Sequence, residues 1–124
     1  MKQFIVRTRN PIHINNFSEP EPDISIIKKR KNYYYDRHPN PNEVFLIIEV
    51  SEEHLQKDRK IKLPIYAKAG IVEYWIVNLI DEQVEVYRNP KEEKYSSKKI
   101  YKKGKTIKSS QLDFELKVSD IFTN

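Results

Sequence analysis

The segment Val44 to Trp75, VFLIIEVSEEHLQKDRKIKLPIYAKAGIVEYW, does most to narrow what this chain can fold into. Its opening run, Val44 to Ile48, is apolar and rich in β-branched and aromatic residues, which suits a strand buried on both faces, as in the centre of a sheet. The run leads straight into Glu49. A carboxylate at the end of a buried strand is costly unless something pairs with it, so the fold has to supply a partner from elsewhere. Ser51 suits a helix N-cap, with Glu52 and Glu53 in the first turn near the positive end of the dipole. The helix should run to about Ala69, with Gly70 as its C′ residue. Pro64 lacks the N–H that would bond the carbonyl of Lys60, which predicts a kink there. Leu55, Lys62 and Tyr66 fall close to one helix face, and Asp58 and Lys62 form an i, i+4 pair.

The flanking sequence supplies the remaining elements. Residues 3 to 9 have strand composition, and the two prolines of SEPEPD set an extended approach to Asp23, which opens the short apolar run Ile24 to Ile27. Lys28 to Asn42 reads as a basic, tyrosine-rich loop. Glu73 to Asn78 is a second apolar strand, and Gln83 to Arg88 alternates Val84 and Val86 with Glu85 and Tyr87, the pattern of a half-exposed strand joined to it by a hairpin through Asp81 and Glu82. Beyond Pro90, SKKIY suggests one weak strand, and the apolar positions of LDFELKVSDIF suit docking on the sheet. The expected architecture is a single α/β domain spanning residues 1–124, with its core at about 11–90 and a basic C-terminal extension over 91–124.

Charge and composition bound the function. Lys91 to Lys108 carries eight lysines against two glutamates, so the net charge of +5 is concentrated in one region. Lys28, Lys29, Arg30, Lys31 and Arg37 form a second basic cluster. Either could face phosphates, or serve only as a solvated surface. Tyr33, Tyr34 and Tyr35 could stack bases or pack beneath their loop. Cysteine is absent, which excludes disulfides and thiolate metal sites. No apolar run approaches the roughly 20 residues of a membrane span, and no signal-peptide core follows Met1, so a cytoplasmic protein with no membrane association is expected. His13, His38 and His54 have no zinc-site spacing.

The chemistry points to Asp23, Glu49 and Lys62. If their strands are neighbours, Asp23 and Glu49 bring two carboxylates to one place, and a hard divalent cation is the usual reason to hold such a pair. A site of this kind, with waters and phosphate oxygens completing the shell, suits phosphodiester hydrolysis by Mg²⁺. Lys62, on the following helix, could orient or deprotonate water or stabilise charge on the phosphate. Each residue has a plainer reading: Asp23 opens a strand, Glu49 pairs with a lysine, and Lys62 is a solvated partner of Asp58.

Three segments, EPEPDISII, the block from VFLIIEV to EYWIVN, and VEVYRNP, resemble the Uma2 family of endonucleases, a branch of the PD-(D/E)XK superfamily. The resemblance covers about Pro11 to Pro90 and, more loosely, the terminal DIF. It implies a restriction-endonuclease-like mixed β-sheet core with its main helix after the central strand, cleavage of DNA with Mg²⁺ (Mn²⁺ as an alternative ion), and an active site in which Pro22-Asp23 supplies PD and Glu49 the acidic position. Val50 would offer its backbone carbonyl to the metal. Two residues after Glu49 stands Ser51 rather than the superfamily's lysine; in the family the lysine has moved to the helix, which here matches Lys62, with Lys60 as the fallback. Family members extend further at the N-terminus, so the resemblance implies an N-terminally truncated form of the domain. DNA is the implied partner, and the sequence is compatible with a homodimer. The alternatives are a catalytically inactive nucleic-acid-binding remnant and an interaction subunit of the same fold.

Overall fold

The computed structural model describes residues 3–53 and 55–122. Six strands form one sheet in chain order: β1 (Phe4–Thr8), β2 (Ile24–Lys28), β3 (Val44–Ser51), β4 (Glu73–Asn78), β5 (Gln83–Lys91) and β6 (Lys94–Lys102). Neighbours are antiparallel except β3 and β4, which run parallel. A parallel pair requires a crossover, and the chain between Ser51 and Glu73 provides it as a helix lying on one face. The central strand is therefore β3, as its apolar composition implies. A smaller ribbon of β7 (Thr106–Lys108) and β8 (Glu115–Lys117), followed by the helical turn α3 (Val118–Ile121), covers the opposite face.

The crossover helix is not continuous. It consists of α1 (Leu55–Lys57), a π-helical turn over Asp58–Lys62, and α2 (Leu63–Ala69). The Leu63 N–H bonds the carbonyl of Asp58, five residues back. The expected kink at Pro64 takes this form because the missing proline N–H leaves the preceding turn free to widen, and single π turns of this kind are typical of functional sites. The end follows expectation: Gly70 adopts φ +84°, its N–H bonds Ala67 O at 3.0 Å, and Ile71 N–H bonds Tyr66 O at 3.0 Å, a Schellman closure. Ser51 is not the N-cap. It is the last residue of β3, and its hydroxyl is buried. His54 lies outside the described residues.

Both faces of the sheet are covered. On the helix side Ile47, Ile76, Tyr74 and Tyr87 pack with Tyr66 of the helix and Ile71; on the other, Leu46, Trp75, Val77, Val84 and Val86 pack with Ile107, Leu112, Val118 and Phe122. This corrects the half-exposed reading of β5. Val84, Glu85, Val86 and Tyr87 are all buried, because the alternation sorts them between two covered faces rather than between core and water. The basic segment after Pro90 is likewise more than one weak strand. β6 spans nine residues and pairs along β5, leaving Lys94, Lys98, Lys99 and Lys102 exposed, while the tail contributes to the core. In the loop between β2 and β3 the three tyrosines separate. Tyr34 is buried, donates its hydroxyl to Lys28 O at 2.7 Å and lies under Arg30 and Arg37, whereas Tyr33 and Tyr35 are exposed. Among the described residues, no helix is long and apolar enough to cross a membrane.

One buried carboxylate ties the ribbon to the sheet. Glu73 is 0 % exposed and accepts from Trp75 Nε1 (2.9 Å), Arg88 Nε (3.0 Å), Ser109 Oγ (3.0 Å), and both the backbone N–H and hydroxyl of Ser110 (3.1 Å each). Removing an acceptor shared by several buried donors leaves a cation and hydroxyls without partners. Glu73→Ala is expected to lower the free energy of unfolding by about 3 kcal/mol in urea denaturation, and a loss of less than about 1 kcal/mol would contradict this role.

Candidate active site

Antiparallel pairing of β2 with β3 sets Ile24 beside Ile48, which brings the start of one strand to the end of the other. Asp23 and Glu49 meet there and brace each other through the backbone. The Asp23 N–H donates to Glu49 Oε1 at 2.9 Å, and the Val50 N–H donates to Asp23 Oδ2 at 2.7 Å. From the helix, Lys62 Nζ donates to Glu49 Oε2 at 3.0 Å, and the Tyr66 hydroxyl donates to the same oxygen at 3.2 Å. Asp58 Oδ1 lies 3.5 Å from Lys62 Nζ. The fold thus gathers Asp23, Glu49 and Lys62 at one place. Lys60 is exposed and makes no hydrogen bond or ion pair with them among the described residues.

Burial and charge compete at this cluster. Glu49 is 1 % exposed, and burial pushes its carboxyl above the ordinary range despite the opposing pull of the Asp23 N–H and Lys62. Burial pulls the Lys62 ammonium down, but its hydrogen bond and ion pair with Glu49, together with Asp58, outweigh that and leave it raised. Both pKa values are raised, with opposite effect on charge: burial favours the neutral form of Glu49, the deeper group, whereas two neighbouring carboxylates favour the charged form of Lys62, which keeps some solvent contact. The Tyr66 phenol is strongly raised, by burial first and by Glu49 second, so it stays a donor.

Sequence reasoning placed Tyr66 near Lys62 on one helix face but assigned it no role, although that shared face was the available signal. It also missed a second pair that fixes the helix. Glu85, 0 % exposed, sits in register with Ile76, which is in turn in register with Glu49, so the two acids occupy one row across β3, β4 and β5. Arg59 grips Glu85 through Nε at 2.9 Å and also through Nη2, while the Tyr87 hydroxyl donates to Glu85 at 2.7 Å. The π-helical turn therefore faces the row with two cations, Arg59 on Glu85 and Lys62 on Glu49. No local sequence signal marks a pair separated by this much chain.

A cleft of about 610 Å³ opens beside the carboxylates, lined by Arg9, Asp23, Val50, Glu52, Glu53 and Leu79. A depression of about 540 Å³ lined by Ile14, Phe17, Pro64 and Ile65 shares none of these residues and no member of the cluster. Among the described residues, no group of three or more His, Asp or Glu side chains forms a metal cage. The donor chemistry fits a partly hydrated hard cation: Asp23 offers its carboxylate on the cleft wall, where there is room for water, and the Glu49 carboxylate lies behind it, bonded to the Asp23 N–H.

A mixed sheet with a crossover helix laid over acids at the ends of adjacent strands is a restriction-endonuclease-like α/β fold. The model of the Uma2 family, described as "Putative restriction endonuclease", matches residues 1–119. The chain therefore belongs to the Uma2 family, and nuclease is the activity class that this membership assigns. Among solved structures it is similar to a "putative nuclease belonging to DUF820" from Anabaena variabilis ATCC 29413, with a TM-score of 0.71 and 16% identity over 96% of this chain and 68% of that chain, a likeness in fold. No curated protein matches the chain.

The Glu85 anchor carries a pH signature. Burial pushes Glu85 up, but the bonds from Arg59 and Tyr87 outweigh it and hold its pKa below the ordinary value of 4.5. A lowered folded-state pKa adds stability that is fully present above 4.5 and is lost as pH falls through the folded value. Glu85→Gln should cost about 3 kcal/mol at neutral pH. In urea unfolding across a pH series, the gap to wild type should narrow below the ordinary carboxylate range; a gap independent of pH would contradict the ion-pair account.

Proposed function

We propose that the chain is a metal-dependent DNA endonuclease of the PD-(D/E)XK type, hydrolysing phosphodiester bonds with Asp23, Glu49 and Lys62. The observation that carries this reading is the hydrogen-bonded cluster of the three, with Asp23 on the wall of a cleft, its N–H on Glu49, and Lys62 Nζ 3.0 Å from Glu49. The superfamily's lysine normally follows the acid closely in sequence. Here the helix delivers a lysine to the same carboxylate from 13 residues away.

Asp23 and Glu49 would hold Mg²⁺, or Mn²⁺, with the Val50 carbonyl as a further oxygen donor. The bound ion supplies Lewis acidity and a water of lowered pKa. The residues of this chain do the rest. The Val50 N–H holds the Asp23 carboxylate and the Asp23 N–H holds that of Glu49, so the acceptor geometry exists before substrate arrives. Lys62 sits between Glu49 and Asp58, an environment that favours the ammonium, and it therefore acts as a cation beside the phosphate rather than as a base. Water gives up one proton to solvent as its oxygen bonds to phosphorus, the P–O bond to the leaving strand breaks, and the departing oxygen takes up a proton from solvent.

Incubation of supercoiled plasmid with the protein tests this reading. Nicking is expected with Mg²⁺ or Mn²⁺, none with EDTA, and at least about a hundredfold loss in Asp23→Ala and Lys62→Ala. Nicking that survives EDTA, or that is unchanged in either variant, would sink the assignment. Salt-sensitive DNA binding without cleavage would instead identify a binding remnant, the reading favoured by the exposed lysines of β6.

A further inference from the structure

Arg9 is the one cation among the charged residues that line the cleft, facing Asp23, Glu52 and Glu53. Its backbone is in the left-handed region at φ 52°, a conformation that a non-glycine residue holds only when its surroundings impose it. Here they do. β1 pairs with β2 through Thr8 and Ile24, and immediately beyond that pair the Arg9 N–H bonds both Pro22 O at 3.1 Å and Asp23 O at 3.2 Å. The carbonyls on either side of the Asp23 α-carbon thus hold the Arg9 backbone in place, so that the residue carrying the proposed metal-binding carboxylate also anchors the main chain of the arginine. The Asn10 side chain secures the turn from the other side, donating to Thr8 O at 2.8 Å. Among the described residues Arg9 enters no ion pair, although three carboxylates share its cleft, and it is exposed.

A polyanion entering this cleft meets an acidic wall, and a cation anchored on that wall through its backbone is what admits it. Guanidinium matches two non-bridging phosphate oxygens at once, which an ammonium does not. We infer that Arg9 binds a backbone phosphate of the DNA strand that occupies the cleft, and so sets the position of the strand relative to Asp23 and Glu49. This rests on the proposed reading of that pair as the cleaving site, and it adds a substrate-binding residue outside the Asp, Glu and Lys set.

The experiment compares wild type with Arg9→Lys, Arg9→Ala and Arg9→Gly, using a fluorescein-labelled DNA duplex without divalent metal for binding and the same duplex with Mg²⁺ for cleavage. Arg9→Gly is the decisive variant, because glycine accepts the positive φ without strain and so removes the guanidinium while relaxing the backbone. If Arg9 binds phosphate, Arg9→Gly and Arg9→Ala should both weaken binding and raise KM by about tenfold with little change in kcat. The slope of log affinity against log salt should fall by about one contact, and Arg9→Lys should recover only part of the loss. The thermal midpoint of Arg9→Gly should be at or above that of wild type.

Wild-type behaviour in Arg9→Gly would overturn the inference and leave the nuclease reading intact. Wild type that binds but never cleaves would overturn the nuclease reading, while a reduced salt slope in Arg9→Gly would still support the phosphate contact. Wild type that neither binds nor cleaves the duplex would overturn both.

Discussion

The fold depends on neutralising one buried carboxylate. Glu49 lies two residues from the end of the central strand at 1 % exposure, where an ionised group without partners would destabilise the whole sheet. Its partners come from two other segments: the Asp23 backbone at the start of β2, and Lys62 with Tyr66 on the crossover helix. Satisfying this one charge sets the relation of β2 to β3 and the rotation of the helix over the sheet. The apolar core alone would constrain neither so tightly, since hydrophobic contacts are non-directional.

The same device recurs. Glu73 and Glu85 are also fully buried, and each is held by an arginine together with neutral donors. Glu85 faces the helix and holds its π-helical turn through Arg59; Glu73 faces the opposite layer and holds the small ribbon through Ser109 and Ser110. Buried ion pairs of this type add little net stability over an apolar core, but they penalise any arrangement that leaves one partner alone. Three such pairs in a small chain specify how the two outer layers sit on the sheet, and the widened turn between α1 and α2 lets Arg59 and Lys62 reach neighbouring acids in one row.

Much of this was legible from local pattern. The apolar run before Glu49 and the glycine closing the helix each have a local physical cause, and the strands and the Gly70 closure follow from them, whereas the meeting of Asp23 with Glu49 depends on the pairing of β2 with β3. What failed to show in the sequence depends on partners far along the chain. The alternation in Gln83 to Arg88 is the same whether its second face meets water or a helix, so it could not reveal that Glu85 and Tyr87 are buried. The lysines after Pro90 concealed a long strand because only one of its faces needs apolar residues. Ser51 has the composition of a cap, yet the strand continues through it.

Family membership assigns the nuclease class, and the chemical form proposed for it is two carboxylates held by backbone N–H groups, a cation delivered by the helix and a cleft beside Asp23. The central claim is that Asp23 and Glu49 share one metal ion. Anomalous scattering from crystals grown with Mn²⁺ measures this directly. The account predicts one peak bounded by the carboxylates of Asp23 and Glu49 and the Val50 carbonyl, at metal–oxygen distances near 2.1 to 2.2 Å. A peak held by Glu52 and Glu53 alone, or Asp23 and Glu49 left without metal at saturating Mn²⁺, would contradict it.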